Sequence, residues 1–378
     1  MKRLFAISVL LAAISVQAQE LNFWQKVNNL LTKVKDIDSV YVYQPNQSFT
    51  LGMFSTVQQV GFDTKVMFSF FGENDSRIPG TTKYHFNEKP STKLGLEVGY
   101  GKFVLGYGLE VFPKNGHKRI SLGLNLLGKN WGLHSNFFKI SNDFRSKITV
   151  GNTNDINYWE DEIIGTEPAS MSYLSIDGYY VFNNKRFAYP AAYKAGLVQR
   201  KTAGSWMVTG RYMQGRLKNP PGASHDEYFM FDGFNTMQIS VGGGYSANFV
   251  CWHRDPTALH DKGLRNLTIN LTLLPVITAF NYLKTISYQY NQDTGESIED
   301  DISTIYCYPM PNFIGNSAIS LTLDRFFIST QFTYNWFYFH SAQAIDPTSL
   351  PISAQVDDIS FRGSFYNWNL KLLFTYKF

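Results

Sequence analysis

The chain has 378 residues with 34 basic and 30 acidic side chains, and its 31 Phe, 23 Tyr and 7 Trp make it 16% aromatic but only 17% charged. A soluble domain carries roughly 25% charge, yet mean hydropathy is −0.20, so the chain is not greasy on average. This combination excludes a helical membrane bundle, which needs apolar runs of about 18–20 residues, a disordered chain and a coiled coil; the near-neutral balance gives no case for nucleic acid as a partner.

Taken in chain order, Lys2 and Arg3 precede an apolar run over 4–16, and Val16-Gln17-Ala18 ends in small residues before Gln19. This is a signal peptide over 1–18, cleaved between Ala18 and Gln19, and no Cys follows to accept a lipid. Its removal leaves 32 basic and 30 acidic residues, a charge of +2. Residues 19–46 read as a periplasmic N-terminal segment. Within it Phe23, Trp24, Val27, Leu30, Leu31 and Val34 recur at helical spacing, which predicts a short amphipathic helix over 21–35.

From 47 to 378 the period is two. Leu94, Leu96, Val98 and Tyr100 alternate with Lys93, Gly95, Glu97 and Gly99. Ile120, Leu122, Leu124 and Leu126 alternate with Arg119, Ser121, Gly123 and Asn125. Leu267, Ile269, Leu271 and Leu273 alternate with Asn266, Thr268, Asn270 and Thr272. A polar face of Gly, Ser, Thr and Asn suits a crowded lumen better than open solvent, and segments of about 10–15 residues suit a tilted membrane crossing better than a sandwich strand. The predicted fold is therefore all-β, a transmembrane antiparallel up-and-down β-barrel whose surroundings are the lipid bilayer of the outer membrane. An even number of crossings fits segments near 49–71, 84–100, 102–112, 118–128, 130–141, 171–183, 203–214, 235–253, 265–282, 315–324, 326–340 and 364–378, about 12 strands, with 10 and 14 also compatible. The stretch 186–200 reads as a further crossing or a rim segment. Tight turns at Tyr100-Gly101-Lys102, Gly128-Lys129-Asn130 and Asn183-Asn184-Lys185 oppose long polar stretches at 142–170, 215–234, 284–314 and 341–361.

The last strand alternates to the terminus through Trp368, Leu370, Leu372, Phe374, Tyr376 and Phe378. A final Phe with aromatics two and four residues earlier looks like the assembly signal read by the outer-membrane insertion machinery, the second expected partner; the barrel itself reads as a monomer.

Chemistry is sparse. The seven His, at 85, 117, 134, 225, 253, 260 and 340, form no metal motif. Cys251 and Cys307 fall near opposite rims and are predicted not to pair. Gly242-Gly243-Gly244 lacks the spacing of a phosphate loop and reads as a bend or a close approach between backbone and an aromatic ring. No catalytic residue, cofactor or metal site is assigned. The charges expected in the lumen are Glu97, Glu110, Arg119, Asp177, Arg211 and Lys371. Basic residues Arg186, Arg200, Lys201, Arg211, Arg216 and Lys218 gather in the middle third, which reads either as an electropositive constriction or as a plugging Arg–carboxylate network.

The stretches Lys93–Tyr100, 183–193 and Gln199-Arg200-Lys201-Thr202-Ala203-Gly204-Ser205 resemble a domain-of-unknown-function family of Gram-negative outer-membrane β-barrel proteins. The resemblance implies a membrane barrel and supplies no activity. The expected role is a passive channel or structural membrane component. The alternatives are a surface adhesin or assembly partner acting through the long loops, and a lipid- or polysaccharide-acting enzyme with His134 or His340 as base.

Overall fold

The computed structural model describes residues 36–45, 49–71, 77–87, 90–111, 119–152, 160–164, 169–218, 233–255, 263–290, 297–341 and 356–378. The expected signal peptide and the helix expected over 21–35 lie outside them. The strands are β1 (Val42–Tyr43), β2 (Phe49–Phe71), β3 (Arg77–Asn87), β4 (Ser91–Tyr100), β5 (Phe103–Glu110), β6 (Arg119–Leu127), β7 (Trp131–Asn152), β8 (Glu160–Ile164), β9 (Ala169–Val181), β10 (Val198–Gln199), β11 (Ala203–Lys218), β12 (Gly233–Arg254), β13 (Arg265–Tyr290), β14 (Ser297–Tyr306), β15 (Met310–Leu323), β16 (Phe326–His340) and β17 (Val356–Lys377).

Antiparallel pairing runs β12-β11-β9-β7-β6-β5-β4-β2-β17-β16-β15-β13, and β13 pairs back with β12. The result is a closed ring of 12 strands, each with a partner on both sides; β8 and β14 pair outside it, with β7 and β13 alone. Alternation dictates which side chains face out. Leu94, Leu96, Leu105, Tyr107, Leu122, Leu271, Leu273, Leu370 and Leu372 are all exposed on the outer wall, an apolar surface that suits hydrocarbon rather than water. The turns at Gly101 and Lys129, the Asp324 turn and the C-terminus share one rim, called here the near rim. Gly101 has φ 58°, a left-handed value that glycine adopts without a Cβ penalty.

Several strands are longer than their alternation suggested. The polar stretches 142–170, 284–314 and 341–361 are partly strand: β7 runs to Asn152, β13 to Tyr290, and β17 begins at Val356. The crossing expected at 84–100 is two strands. β3 pairs with β2 and with β7 above the point where the short β4, β5 and β6 end. β2 therefore changes partner from β4 to β3 along its length, and β7 from β6 to β3. Toward the far rim one strand replaces three between β2 and β7, so this side of the ring tapers.

The stretch between β9 and β11 is neither a crossing nor a rim turn. It folds into the near mouth, where a 3-10 turn at Tyr189–Ala192 and the two-residue β10 lie inside the ring. β1 pairs with β10 and brings residues 36–45 onto the same plug. The wall holds it through inward amides and hydroxyls. Asn248 donates to Ala188 O at 2.8 Å, Asn266 to Gln199 O at 2.8 Å, Ser329 to Ala192 O at 2.9 Å and Gln331 to Tyr193 O at 2.8 Å. A loop folded inside a barrel needs such partners, because each buried peptide group without one costs about 1–3 kcal/mol.

Above the plug the lumen departs from the uniformly polar interior that the alternation suggested. Phe62, Phe138, Tyr173, Phe234, Phe337, Phe339, Phe361 and Phe365 all point inward and are buried together. Phe62 stacks on Phe234 with centroids 4.1 Å apart, and Phe138 on Tyr173 at 4.7 Å. The far half of the barrel thus has an aromatic core, and the near half a hydrogen-bonded one.

Candidate functional site: the lumen cavity

Between the plug and the aromatic core lies a cavity of about 180 Å³. Its origin is legible in β4, β5 and β6. Their inward positions include Gly95, Gly99, Gly106, Gly108 and Gly123, and a Cβ built on Gly123 would meet nothing within 4 Å. Part of this glycine wall is used by Phe54, whose ring lies so close to Gly95 that a Cβ there would sit 2.2 Å from it. Gly99 and Gly108 are packed against Thr50 and Ser121, so the open part of this wall is at Gly106 and Gly123.

The six charges expected in the lumen resolve into three pairs. Lys371 Nζ donates to Glu97 at 2.6 Å across β17 and β4. Arg211 on β11 and Asp177 on β9 are register partners in close contact, and Arg211 also donates to Asn335 at 2.8 Å and lies over the Phe337 ring at 5.2 Å. Both pairs line the cavity. Arg119 and Glu110 form the third, at 3.5 Å, above it at the far ends of β5 and β6. The basic residues grouped by sequence do not converge. Arg186, Arg200 and Lys201 surround the plug, where Arg186 and Lys201 hold Tyr41 by cation–π contact at 5.1 and 5.8 Å, and Arg216 and Lys218 sit at the far end of β11.

Alternation did not reveal the cavity floor, because the plug has no alternation. Tyr189, Tyr193 and Lys194 form it. Tyr193 donates to Asn270 at 2.7 Å, and Lys194 Nζ to Gly101 O at 2.9 Å. Burial pushes the Lys194 ammonium down to about 7, against the pull of Glu97 and with help from Lys102. Asn125, Asn136, Asn316, Gln331, Thr333, Asn367 and Asn369 supply amides and a hydroxyl around the sides. His134 is also part of the wall, and the neighbouring Thr209 hydroxyl donates to Gly178 O at 2.9 Å rather than to a base.

Elsewhere, His85 contacts Asp63, His253 contacts Asp255 at 2.9 Å, and Arg362 donates to His340 at 3.1 Å. Among the described residues no group of three His, Cys, Asp or Glu is placed to hold a metal. Cys251 and Cys307 are both free. Gly242 and Gly244 let β12 approach β13 beside Pro275: a Cβ on Gly244 would sit 1.9 Å from Leu273 O. At the C-terminus, Phe374 and Phe378 are exposed on the outer wall; the Phe378 ring lies 5.4 Å from Phe49 and 4.9 Å from Tyr376.

Residues 36–357 match the family model described as Domain of unknown function (DUF4421), and the chain belongs to that family. No functionally curated protein matches the sequence. Among solved structures, the outer membrane protease OmpT from Escherichia coli is 8% identical, with 89% of this chain and 99% of that one covered at a TM-score of 0.39. The beta domain of the Bordetella autotransporter BrkA is 10% identical, with 85% and 100% covered at 0.30. A FadL homologue from Pseudomonas aeruginosa is 8% identical, with 88% and 90% covered at 0.24. Likeness of that order says nothing about activity.

Proposed function

We propose that this member of the DUF4421 family is an outer-membrane barrel whose own chain closes its periplasmic mouth, a structural membrane component rather than an open channel. The observation that carries this reading is the plug. Gln199, wholly buried at 0% exposure, donates to the carbonyls of Arg186 at 2.7 Å and Lys201 at 2.9 Å and accepts from Ala188 N at 2.9 Å. Wall amides Asn248 and Asn266 complete the seal. The paired lumen charges agree with it, since Arg119, Arg211 and Lys371 are each matched by a carboxylate instead of being left to attract solutes. Delivery by the signal peptide over 1–18, recognition of the terminal Phe378 strand by the insertion machinery and a monomeric state in the bilayer belong to the same reading. Planar-bilayer recording tests it. The refolded wild type is expected to give no steady current in potassium chloride. A wild type that conducts steadily overturns the closed-barrel reading.

A further inference from the structure

The cavity is neither filled nor self-satisfied. We propose that it is a binding site for one small, uncharged, hydroxyl-rich molecule, of the size and chemistry of a single hexose. The argument begins with volume. A cavity of about 150 Å³ accommodates a benzene ring, so about 180 Å³ takes one small ring compound with its substituents.

Charge selects next. Glu97 is paired with Lys371 and Asp177 with Arg211, so a cationic ligand has to break a buried pair to find a counter-ion, and an anionic one has only Lys194, whose charged form burial already disfavours. A neutral ligand does not. Polar chemistry then points to hydroxyls. The side walls are dense in carboxamides, each of which both donates and accepts, the pairing pattern that a hydroxyl group also has. Two of these amides are incompletely used: Asn125 Oδ1 and Asn369 Oδ1 are buried without a donor. The terminal torsion of Asn is soft, so a modest rotation turns either oxygen toward a ligand O–H. Lys194 spends one ammonium proton on Gly101 O and has two left. Last, the floor is aromatic. Tyr179 meets Tyr189 at 4.9 Å and Tyr189 meets Tyr193 at 5.0 Å, presenting ring surface of the kind that covers the C–H face of a sugar while amides bond its rim. An apolar ligand would leave the amides unpaired, at a cost for each of them.

This inference does not require the barrel to be closed. Saturation-transfer NMR on the full chain in detergent, with D-glucose, D-galactose and D-mannose as probes and D-gluconate and D-glucosamine as charged comparators, tests it directly. At least one neutral hexose is expected to saturate, with affinity lowered tenfold or more in Asn369→Leu and in Tyr189→Leu, both checked for folding by heat-modifiable gel mobility. A second readout needs no variant: the same hexose is expected to slow hydrogen exchange at the amides of 189–194, which form the floor. The proposal is overturned if none of the three hexoses saturates, if a charged comparator saturates at lower concentration than all of them, if both folded variants bind like wild type, or if exchange at the floor is unchanged. Hexose binding in a barrel that conducts steadily would refute the closed-barrel reading and leave this one standing.

Discussion

At the scale of single residues, alternation set which charges face inward, but only the register shows which of them meet. Asp177 and Arg211 each fall on the polar face of their strand, and nothing local in either sequence announces the other. The ladder sets them side by side, with the side chains 16% and 6% exposed. Removing one partner from such a pair strands the other charge in a poorly solvated site, at about 3–5 kcal/mol, whereas replacing both with apolar groups of similar size is often near neutral. Asp177→Ala is therefore expected to lower the stability of the vesicle-embedded barrel by about that amount in urea titrations. The double variant Asp177→Leu with Arg211→Met should recover most of it, and equal losses for the two would show that the pair is not the cause. The glycines follow the same logic. Gly95 and Gly244 look alike in sequence, yet one makes room for the Phe54 ring and the other for the β13 backbone.

Among elements, the plug is where sequence reading failed, for a physical reason. Strand periodicity reports a two-sided environment, and a segment buried on every side by its own barrel carries no such signal. The partners that fix it are the inward Asn248, Asn266, Ser329 and Gln331, of which the alternation had set Asn266 on the polar face without a purpose. Lys194 gives the plug a pH dependence. Its folded value of about 7 lies below the ordinary 10.5, so between these values the unfolded chain holds a proton that the folded chain has released. Stability then rises with pH through that window, by up to about 1.4 kcal/mol per pH unit, and the burial penalty is felt in full below it. The charged groups facing Lys194 are Glu97 and Lys102; burial lowers the Lys102 ammonium as well, so the part of the slope that belongs to Lys194 is the part lost in Lys194→Met. Urea midpoints measured between about pH 7.5 and 9.5 are expected to climb in wild type more steeply than in Lys194→Met. Parallel slopes would mean that the ammonium is not buried as described.

For the whole molecule, barrel class and strand number were legible because closure forces every strand to show one apolar and one polar face. The taper was not, since it depends on β3 pairing with β7, a partner more than fifty residues away in sequence. That geometry also sets where the ring is weakest. β5 and β6 have 8 and 9 residues and share 7 register pairs, while β12 and β13 have 22 and 26 and share 19. A closed barrel has no edge from which to fray, so opening begins where the fewest ladder bonds and the least inward packing hold a strand. Native-state hydrogen exchange in detergent is expected to show amides of 103–110 and 119–127 exchanging well before those of 239–250 and 267–278. The cavity lies against the inner face of the same hairpin, at Val104, Asn125 and Leu127, so the thin inward packing there accompanies the short ladder. If the hairpin and the β12–β13 ladder exchanged together, the ring would be opening as one unit and the taper would carry no energetic consequence.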